Sequence, residues 1–155
     1  MKEIIMTISI TSILEAELPS LRECNVRNLP VFYQLSDYKE MFRDPRTIIL
    51  IAKDEAQIVG YVIGTLETNK QFHIISFTVD KNHRRHGIGT MLMKEIEKKS
   101  HKYQSVMYTT LNVDVNNHDA IQFYIRYGFK KIMVMNHYYG LFQNGYKLGK
   151  RIRIK

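Results

Sequence analysis

The amino-acid sequence predicts an α/β fold of mixed α+β character, with a mixed central sheet of about seven strands flanked by about four helices. Three observations lead to this prediction. Along the chain, segments in which apolar residues have the spacing of a strand alternate with segments in which they have the spacing of a helix. Two strand–helix–strand units follow each other in the second half, which favours parallel pairing, whereas two β-rich runs divided by residues 53–56 favour a hairpin. No linker or repeat interrupts the 155 residues, so we expect a single domain over 1–155.

The predicted strands are runs of apolar and β-branched residues that end at polar or glycine-containing turns. In chain order they are 4–10, 47–52, 57–66, 72–79, 105–113, 129–136 and 145–154. The last run ends in Arg151-Ile152-Arg153-Ile154-Lys155, an alternation that favours a terminal strand with one face in water.

The predicted helices carry apolar residues at helical spacing. In chain order they are 12–25, a short helix ending before Asp44-Pro45, 87–102 and 117–127. Pro19 is compatible with the first helix only close to its start. Asn117 can cap the last helix, and Gly128 can end it in a left-handed conformation.

Composition indicates a globular protein of a reducing compartment, which we expect to be the cytoplasm. The chain is 45% hydrophobic and 25% charged, which excludes a disordered protein. Its one cysteine, Cys24, cannot form an internal disulfide. The uncharged stretch 4–14 is too short to span a bilayer and lacks a signal-peptide cleavage site, so we expect no membrane association.

The net charge of +8 does not select a partner by itself, since phosphates, acidic peptides and nucleic acids all attract a basic protein. Five of the positive charges lie in the last nine residues. The solvent-exposed face of a terminal strand explains these charges, and a nucleic-acid-binding patch is the alternative that the sequence leaves open. We expect no specific nucleic acid as partner.

The sharpest motif is the basic, glycine-containing segment 79–90, Val-Asp-Lys-Asn-His-Arg-Arg-His-Gly-Ile-Gly-Thr. It joins a predicted strand to a predicted helix, and the first amides of a helix bind anions. Glycine at 87 and 89 lets the main chain approach a phosphate, and Arg84 and Arg85 add guanidinium groups that pair with its oxygens. The spacing differs from G-x-G-x-x-G and from the P-loop, so it excludes both of those nucleotide sites.

This Arg-x-x-Gly-x-Gly loop resembles the pyrophosphate loop of the GNAT superfamily of acetyl-CoA-dependent acetyltransferases. A second segment, Asn117 to Ala120 with Phe123-Tyr124 and Gly128-Phe129, resembles the same family's Asn-x-x-Ala-x-x-Phe-Tyr-x-x-x-Gly-Phe signature. The resemblance covers nearly the whole chain and implies the GNAT fold, with acetyl-CoA as cofactor. The residues that it implies for coenzyme A binding are Phe77, Thr78, Val79, Arg84, Arg85, His86, Gly87, Ile88, Gly89, Thr90, Asn117, Ala120, Phe123, Tyr124 and Tyr127.

Two flanking segments are similar to the catalytic subunits of protein N-terminal acetyltransferases and their archaeal and RimI-like relatives. They are the Leu-Pro loop at 29–33 and the Tyr-Tyr segment near residue 138. The resemblance implies that both close over the first two residues of a peptide, and tyrosine and proline suit such a slot. The implied substrate-binding residues are Leu29, Pro30, Val31, Phe32, Tyr33, Tyr138 and Tyr139.

An ammonium group must lose a proton before it can attack a thioester. His73 stands where relatives carry a glutamate or a tyrosine, and an imidazole there would titrate near neutral pH. The resemblance places a backbone donor for the carbonyl oxygen near 77–79 and assigns Tyr124 to the departing thiolate. The implied catalytic residues are therefore His73, Tyr124 and Asn112.

Two departures from the relatives leave the general base open. Asn112 replaces a histidine of some relatives, and Val31 replaces a glutamate of others. The base could be His73, Tyr138 through water, or a water bound to the backbone, and Asn112 could orient a water. His83, His86 and His118 are read as phosphate contacts or solvated residues. The spacing of Cys, His and carboxylate residues predicts no metal site.

The sequence thus predicts acetylation of the α-amino groups of protein or peptide N termini, with lysine as an extension. The alternatives are acetylation of a small amine such as a polyamine or aminoglycoside, and a catalytically silent acyl-CoA-binding module. A ribosome or an auxiliary subunit is a further partner that the sequence leaves open. We expect a monomer or a weak homodimer.

Overall fold

The computed structural model describes residues 6–140 and 143–152, without the side chains of 139, 140 and 143. Its strands are β1 (Ile8–Ser12), β2 (Thr47–Asp54), β3 (Gln57–Leu66), β4 (Gln71–Val79), β5 (Tyr108–Asp114), β6 (Lys130–Gly140) and β7 (Gln143–Arg151). Its helices are α1 (Leu18–Asn28), α2 (Leu35–Arg43), α3 (Ile88–Ser100) and α4 (His118–Tyr127), with short 3₁₀ turns at Glu15–Glu17 and Lys81–His83. The order of strands and helices is the predicted one.

The seven strands of the described residues form one mixed sheet in the order β1-β2-β3-β4-β5-β7-β6. Strand β1 is antiparallel to β2, whereas β4 and β5 pair in parallel, as the first strand–helix–strand unit predicts. Strand β7 lies between β5 and β6 and is antiparallel to both. The second strand–helix–strand unit therefore gives two strands of the same direction that do not pair. The predicted fold class is confirmed.

The bounds predicted near the N terminus were wrong. Residues 1–5 lie outside the described part, and β1 runs to Ser12, which pairs with Leu50. The first helix therefore starts at Leu18 rather than at 12, and Pro19 falls in its first turn, where a missing N–H costs nothing. None of the helices within 6–140 and 143–152 is both long and apolar enough to cross a bilayer.

Several later bounds also differ. Residues 105–107 precede β5, because a turn joins the amide of Val106 to the carbonyl of Tyr103. Strand β6 continues to Gly140 instead of ending at 136. At the end of β7, Arg151 is exposed and Ile152 is buried, as predicted for one wet face, while 153–155 lie outside the described residues.

Contacts divide the chain into two compact units, each with its own apolar core. The first comprises Met1–Gly64 and Ser76–Lys99. Its core combines apolar residues of α1, β2, β3 and α3, among them Leu18, Leu21, Leu50, Ile51, Ile63, Leu92 and Ile96. The second comprises Thr65–Ile75 and Ser100–Lys155, and its buried residues include Phe72, Leu111, Tyr124, Phe129 and Leu148.

In the first unit, Gly60 of β3 allows close packing. A Cβ at this position would lie 3.0 Å from the carbonyl oxygen of Thr78 and 3.4 Å from Leu92 Cδ1. The first of these atoms is backbone and cannot rotate away, so a methyl group must push β3 and β4 apart.

We therefore expect Gly60→Ala to lower the free energy of unfolding by about 1–3 kcal/mol, the usual cost of an overpacked core. Urea unfolding followed by circular dichroism measures it. Ser36→Ala, on an exposed position of α2, is the control and should leave stability nearly unchanged. Wild-type stability for Gly60→Ala would contradict the packing described here.

Candidate functional site

The segment between β4 and α3 forms a basic loop in the first unit. The guanidinium of Arg84 donates from Nε to the carbonyl oxygen of Val79, 2.9 Å away, which leaves its terminal N–H groups for other acceptors. Arg85 and Gly87 adopt left-handed backbone conformations with φ of 65° and 78°. These two turns bring the chain from the strand into the first turn of α3.

The loop meets the requirements for binding a diphosphate. A Cβ at Gly87 would meet no atom within 4 Å, so open space lies beside this backbone. Ile88 is buried and begins α3, whose first amides have no acceptor within the helix. Arg84, Arg85 and His86 are exposed around it. Amides, a helix N-terminus and two guanidinium groups are the usual donors for phosphate oxygens.

His83 departs from its predicted role as a phosphate contact or solvated residue. Its Nε2 lies 3.0 Å from Oδ2 of Asp54, and its side chain is only 18% exposed. The side chain therefore connects the loop to the end of β2. His86 and His118 are exposed, and their predicted role as phosphate contacts or solvated residues stays a prediction.

The predicted peptide loop, 29–33, follows α1 in the same unit. Val31 and Phe32 are 66% and 49% exposed, which is unusual for apolar side chains of this size next to each other. Helix α1 fixes their backbone: Asn25 Nδ2 donates to the carbonyl of Val31 at 3.4 Å, and Arg22 Nε donates to that of Tyr33 at 3.1 Å. The loop thus presents an ordered apolar surface.

In the second unit, His73 of β4 has a defined partner. Its Nδ1 lies 2.8 Å from Oγ1 of Thr110, on the paired strand β5. Burial lowers the pKa of His73 below its ordinary value of 6.5; Glu67 raises it and Lys147 lowers it further. The imidazole is therefore neutral at pH 7. When Nδ1–H donates to Thr110, Nε2 carries the lone pair and can accept a proton.

Asn112 and Tyr138 meet in the same unit. Asn112 Nδ2 donates to the Tyr138 hydroxyl at 3.0 Å, while its Oδ1 is buried and has no hydrogen-bond partner among the described residues. Tyr138 reaches it because the β6–β7 register shifts between Met135 and Gly140, and a bulge re-aims the strand. His137, at φ 59°, forms part of that bulge.

These polar side chains share one face of the sheet. His73 pairs with Thr110 in register, Asn112 is two residues further along β5, and Lys147 pairs with Asn112 across β7. Strand residues two apart point to the same side. The face that we call the polar face therefore comprises Gln71, His73, Thr110, Asn112 and Lys147, with Lys147 Nζ bonded to Gln71 Oε1 at 3.2 Å.

Helix α4 carries the second signature segment. Asn117 caps it by accepting from the amide of Ala120 at 3.4 Å, and Gly128 ends it with φ of 121°, both as predicted. Tyr124 is buried and lies edge-on to Phe123 and Phe129, with ring centroids 5.6 and 5.8 Å away.

Sequence reasoning missed the residues that hold the candidate functional residues in position. Thr110 belongs to a strand whose pattern gives no sign of a functional role, and the sequence predicted no role for Lys147 itself. Asp80 was quoted within the loop motif without a role, yet its carboxylate contacts Arg27, 53 residues earlier in the chain. No local pattern indicates such a pair. Within 6–140 and 143–152, no three His, Cys, Asp or Glu side chains are grouped as metal ligands.

Comparison with known proteins gives consistent results. Residues 10–129 match the model of the Acetyltransferase (GNAT) family. An N-alpha-acetyltransferase of Sulfurisphaera tokodaii is 28% identical over 129 residues, 76% of this chain and 77% of the relative. An N-terminal acetyltransferase complex ARD1 subunit homolog of Dictyostelium discoideum is 30% identical over 136 residues, 85% and 67% of the two chains.

Among solved structures, Arabidopsis thaliana NAA60 in complex with acetyl-CoA superposes with a TM-score of 0.84. It is 18% identical, over 94% of this chain and 99% of that one, which shows a shared fold. Because the family match covers more than half of the residues, the chain belongs to the GNAT family of acetyltransferases, and acetyl-CoA is its acetyl donor.

Proposed function

We propose that this enzyme acetylates the α-amino group of protein or peptide N termini. The observation that carries the proposal is the half-buried imidazole of His73 on the polar face, whose pKa is lowered by burial so that the ring is neutral at pH 7. Relatives named as N-terminal or N-alpha-acetyltransferases support the same substrate class. The acetyl donor supplies an acetyl group activated as a thioester, and the residues of this chain must bind an amine and remove its proton.

The basicity of His73 favours an α-amine over a lysine. An α-ammonium has a pKa of about 7.7–8.0, whereas that of a lysine side chain is about 10.4. A gap of about 2.5 units makes the neutral fraction of lysine several-hundred-fold smaller at pH 7. A base whose pKa is lowered by burial removes a proton from an α-ammonium at modest cost and from lysine only at high cost.

The polar face also offers acceptors that suit a primary ammonium group, which has three N–H donors. Nε2 of His73 can accept the proton that is transferred. The buried Oδ1 of Asn112 can accept a second bond, directly or through water, and the Tyr138 hydroxyl lies 3.0 Å from the Asn112 amide nitrogen. We propose that Asn112 and Tyr138 orient the amine or its water, while His73 acts as the base.

Each predicted binding segment has a proposed part. The exposed pair Val31 and Phe32 would contact the apolar first side chain of the peptide. The amides at 87–89 with Arg84 and Arg85 would bind the diphosphate. Residues 77–79 would give a backbone N–H to the thioester carbonyl. Tyr124 would donate to the leaving thiolate.

Further partners and the cellular compartment are also proposals. Cys24 is a free, buried thiol, which agrees with a reducing cytoplasm. Proteins with exposed N termini are the proposed partners, and a ribosome or auxiliary subunit would bring nascent chains to the enzyme.

The substrate class is tested with purified protein, acetyl-CoA, and peptides that have either a free or a blocked N terminus and contain an internal lysine. Mass spectrometry locates the acetyl group. We expect acetylation at free N termini, and blocked peptides should react at least a hundredfold more slowly, because of the lysine pKa. Acetylation of polyamines or aminoglycosides alone would contradict the proposal, and tight coenzyme A binding without turnover would identify a silent module.

His73→Gln is expected to lower kcat by about a hundredfold, the lower end for general base catalysis. In the wild type, activity should fall at a pH below 6.5, where His73 becomes protonated. The pH–activity profile of the variant should lack this fall. An unchanged kcat and an unchanged pH profile would exclude His73 as base.

The same residue should affect stability in acid. Below pH 6.5 the unfolded state binds a proton at His73 that the folded state resists, so the wild type loses stability as pH falls. Urea unfolding at pH 7.5 and 5.5 should show a smaller loss for His73→Gln. The exposed His101→Gln is the control and should behave like the wild type.

Two variants at Gly87 separate an effect on stability from an effect on coenzyme A binding. Gly87→Ala places a Cβ at φ 78° and should cost about 1 kcal/mol of stability. Gly87→Asn tolerates that conformation better but fills the open space beside the loop. We expect calorimetry to show weaker coenzyme A binding for both variants. The stability of Gly87→Asn should be closer to that of the wild type than the stability of Gly87→Ala. Wild-type affinity in both would exclude this loop as the diphosphate site.

A further inference from the structure

Asp80, the first residue after β4, has a carboxylate that is almost fully enclosed. Asp80 is 8% exposed, and three side chains of α1 surround its carboxylate. Arg27 donates from Nε to Oδ1 at 3.1 Å and from Nη2 to Oδ2 at 3.0 Å. Asn28 donates to Oδ1, and the Cys24 thiol lies 3.7 Å from the same oxygen. We call Arg27, Asn28 and Asp80 the anchor cluster.

The backbone of Asp80 is fixed as well. Its amide donates to the carbonyl of Val59 at 2.7 Å, and its carbonyl accepts from the amide of His83 at 2.9 Å. Arg27 adds a bond from Nη2 to the carbonyl of Ile58. The point where the chain leaves the sheet for the basic loop is therefore fixed from both β3 and α1.

Stability alone does not explain such a cluster. Asp80 is buried at the cost of its hydration, and the Arg27 side chain that pairs with it is still 40% exposed, so the pair adds little net stability. A bidentate pair does, however, specify one geometry. The loop that it fixes contains two left-handed residues, Arg85 and Gly87, and has to place its amides accurately to bind phosphate.

We propose that Asp80 is a positioning residue for coenzyme A: the anchor cluster sets the conformation of the loop that contains Arg84 and Gly87, without touching the cofactor. The same helix that carries Arg27 and Asn28 also fixes the backbone of the 29–33 loop through Arg22 and Asn25. Helix α1 thus orients two functional loops of the first unit. The proposed role of Asp80 in coenzyme A binding does not depend on which acetyl acceptor the enzyme uses.

The test measures coenzyme A binding rather than turnover. Arg27→Met keeps the apolar stem and removes both bonds that this side chain donates to Asp80, and Asn28→Ala removes one donor with less risk to folding. We expect calorimetry to show about tenfold weaker binding for Arg27→Met, in line with the loss of hydrogen bonds to a charged group. Asn28→Ala should show a smaller change in the same direction. Hydrogen exchange of residues 81–90 should quicken in both, with the core strands unchanged.

Two controls separate positioning from general destabilisation. Arg43→Met removes an exposed arginine of the same unit that pairs with Glu15, and Ile63→Val loosens the core. Both should bind coenzyme A like the wild type. Arg27→Lys, which keeps the charge, should restore part of the affinity.

The proposal is overturned when Asn28→Ala and Arg27→Met lower only the melting temperature and keep wild-type affinity and exchange, or when Ile63→Val weakens binding equally. A wild type that binds coenzyme A but acetylates no peptide N terminus would contradict the proposed function and leave this inference standing.

Discussion

A carboxylate withdrawn from water must be met by donors, and the way Asp80 satisfies this requirement shapes the first unit. Its partners come from the last turn of α1, so the helix must lie where Arg27 and Asn28 reach the end of β4. Because Cys24 is buried beside the same carboxylate, its pKa is raised to about 12 and the thiol remains a neutral donor. The geometry of the basic loop and that of the 29–33 loop follow from the placement of one helix.

A different constraint governs the second unit. The polar face is built on paired strands, so His73, Thr110 and Asn112 are set by register rather than by a loop. A group fixed in this way loses little freedom when substrate binds. Thr110 determines which ring nitrogen of His73 faces outward, and burial determines that the ring is neutral. Tyr138, which bonds to Asn112 beside this face, comes from irregular backbone, the bulge of β6.

Periodicity and turn chemistry predicted the order of all the described strands and helices, because each strand or helix buries a face that its own sequence encodes. They failed at boundaries such as residue 12, where pairing of Ser12 with Leu50 extends a strand into a segment with helical spacing. The candidate loop could be found from Arg84, Gly87 and Gly89, since phosphate binding requires those residue types close together in the chain. Asp80–Arg27 and His73–Thr110 could not, because each pair joins residues 37 or more positions apart.

The residues at 31 and 112, which differ from those of some relatives, determine how many groups can take up a proton. Where some relatives have a glutamate or a histidine, this chain has Val31 and Asn112, so fewer groups are available to take up a proton. A neutral imidazole at 73 avoids the cost of burying an anionic base, but it is a weak base. Such a base suits an amine that already loses its proton near neutral pH, which is the property that separates an α-amino group from lysine. The choice of substrate would then follow from the pKa of the acceptor as much as from the shape of its binding loops.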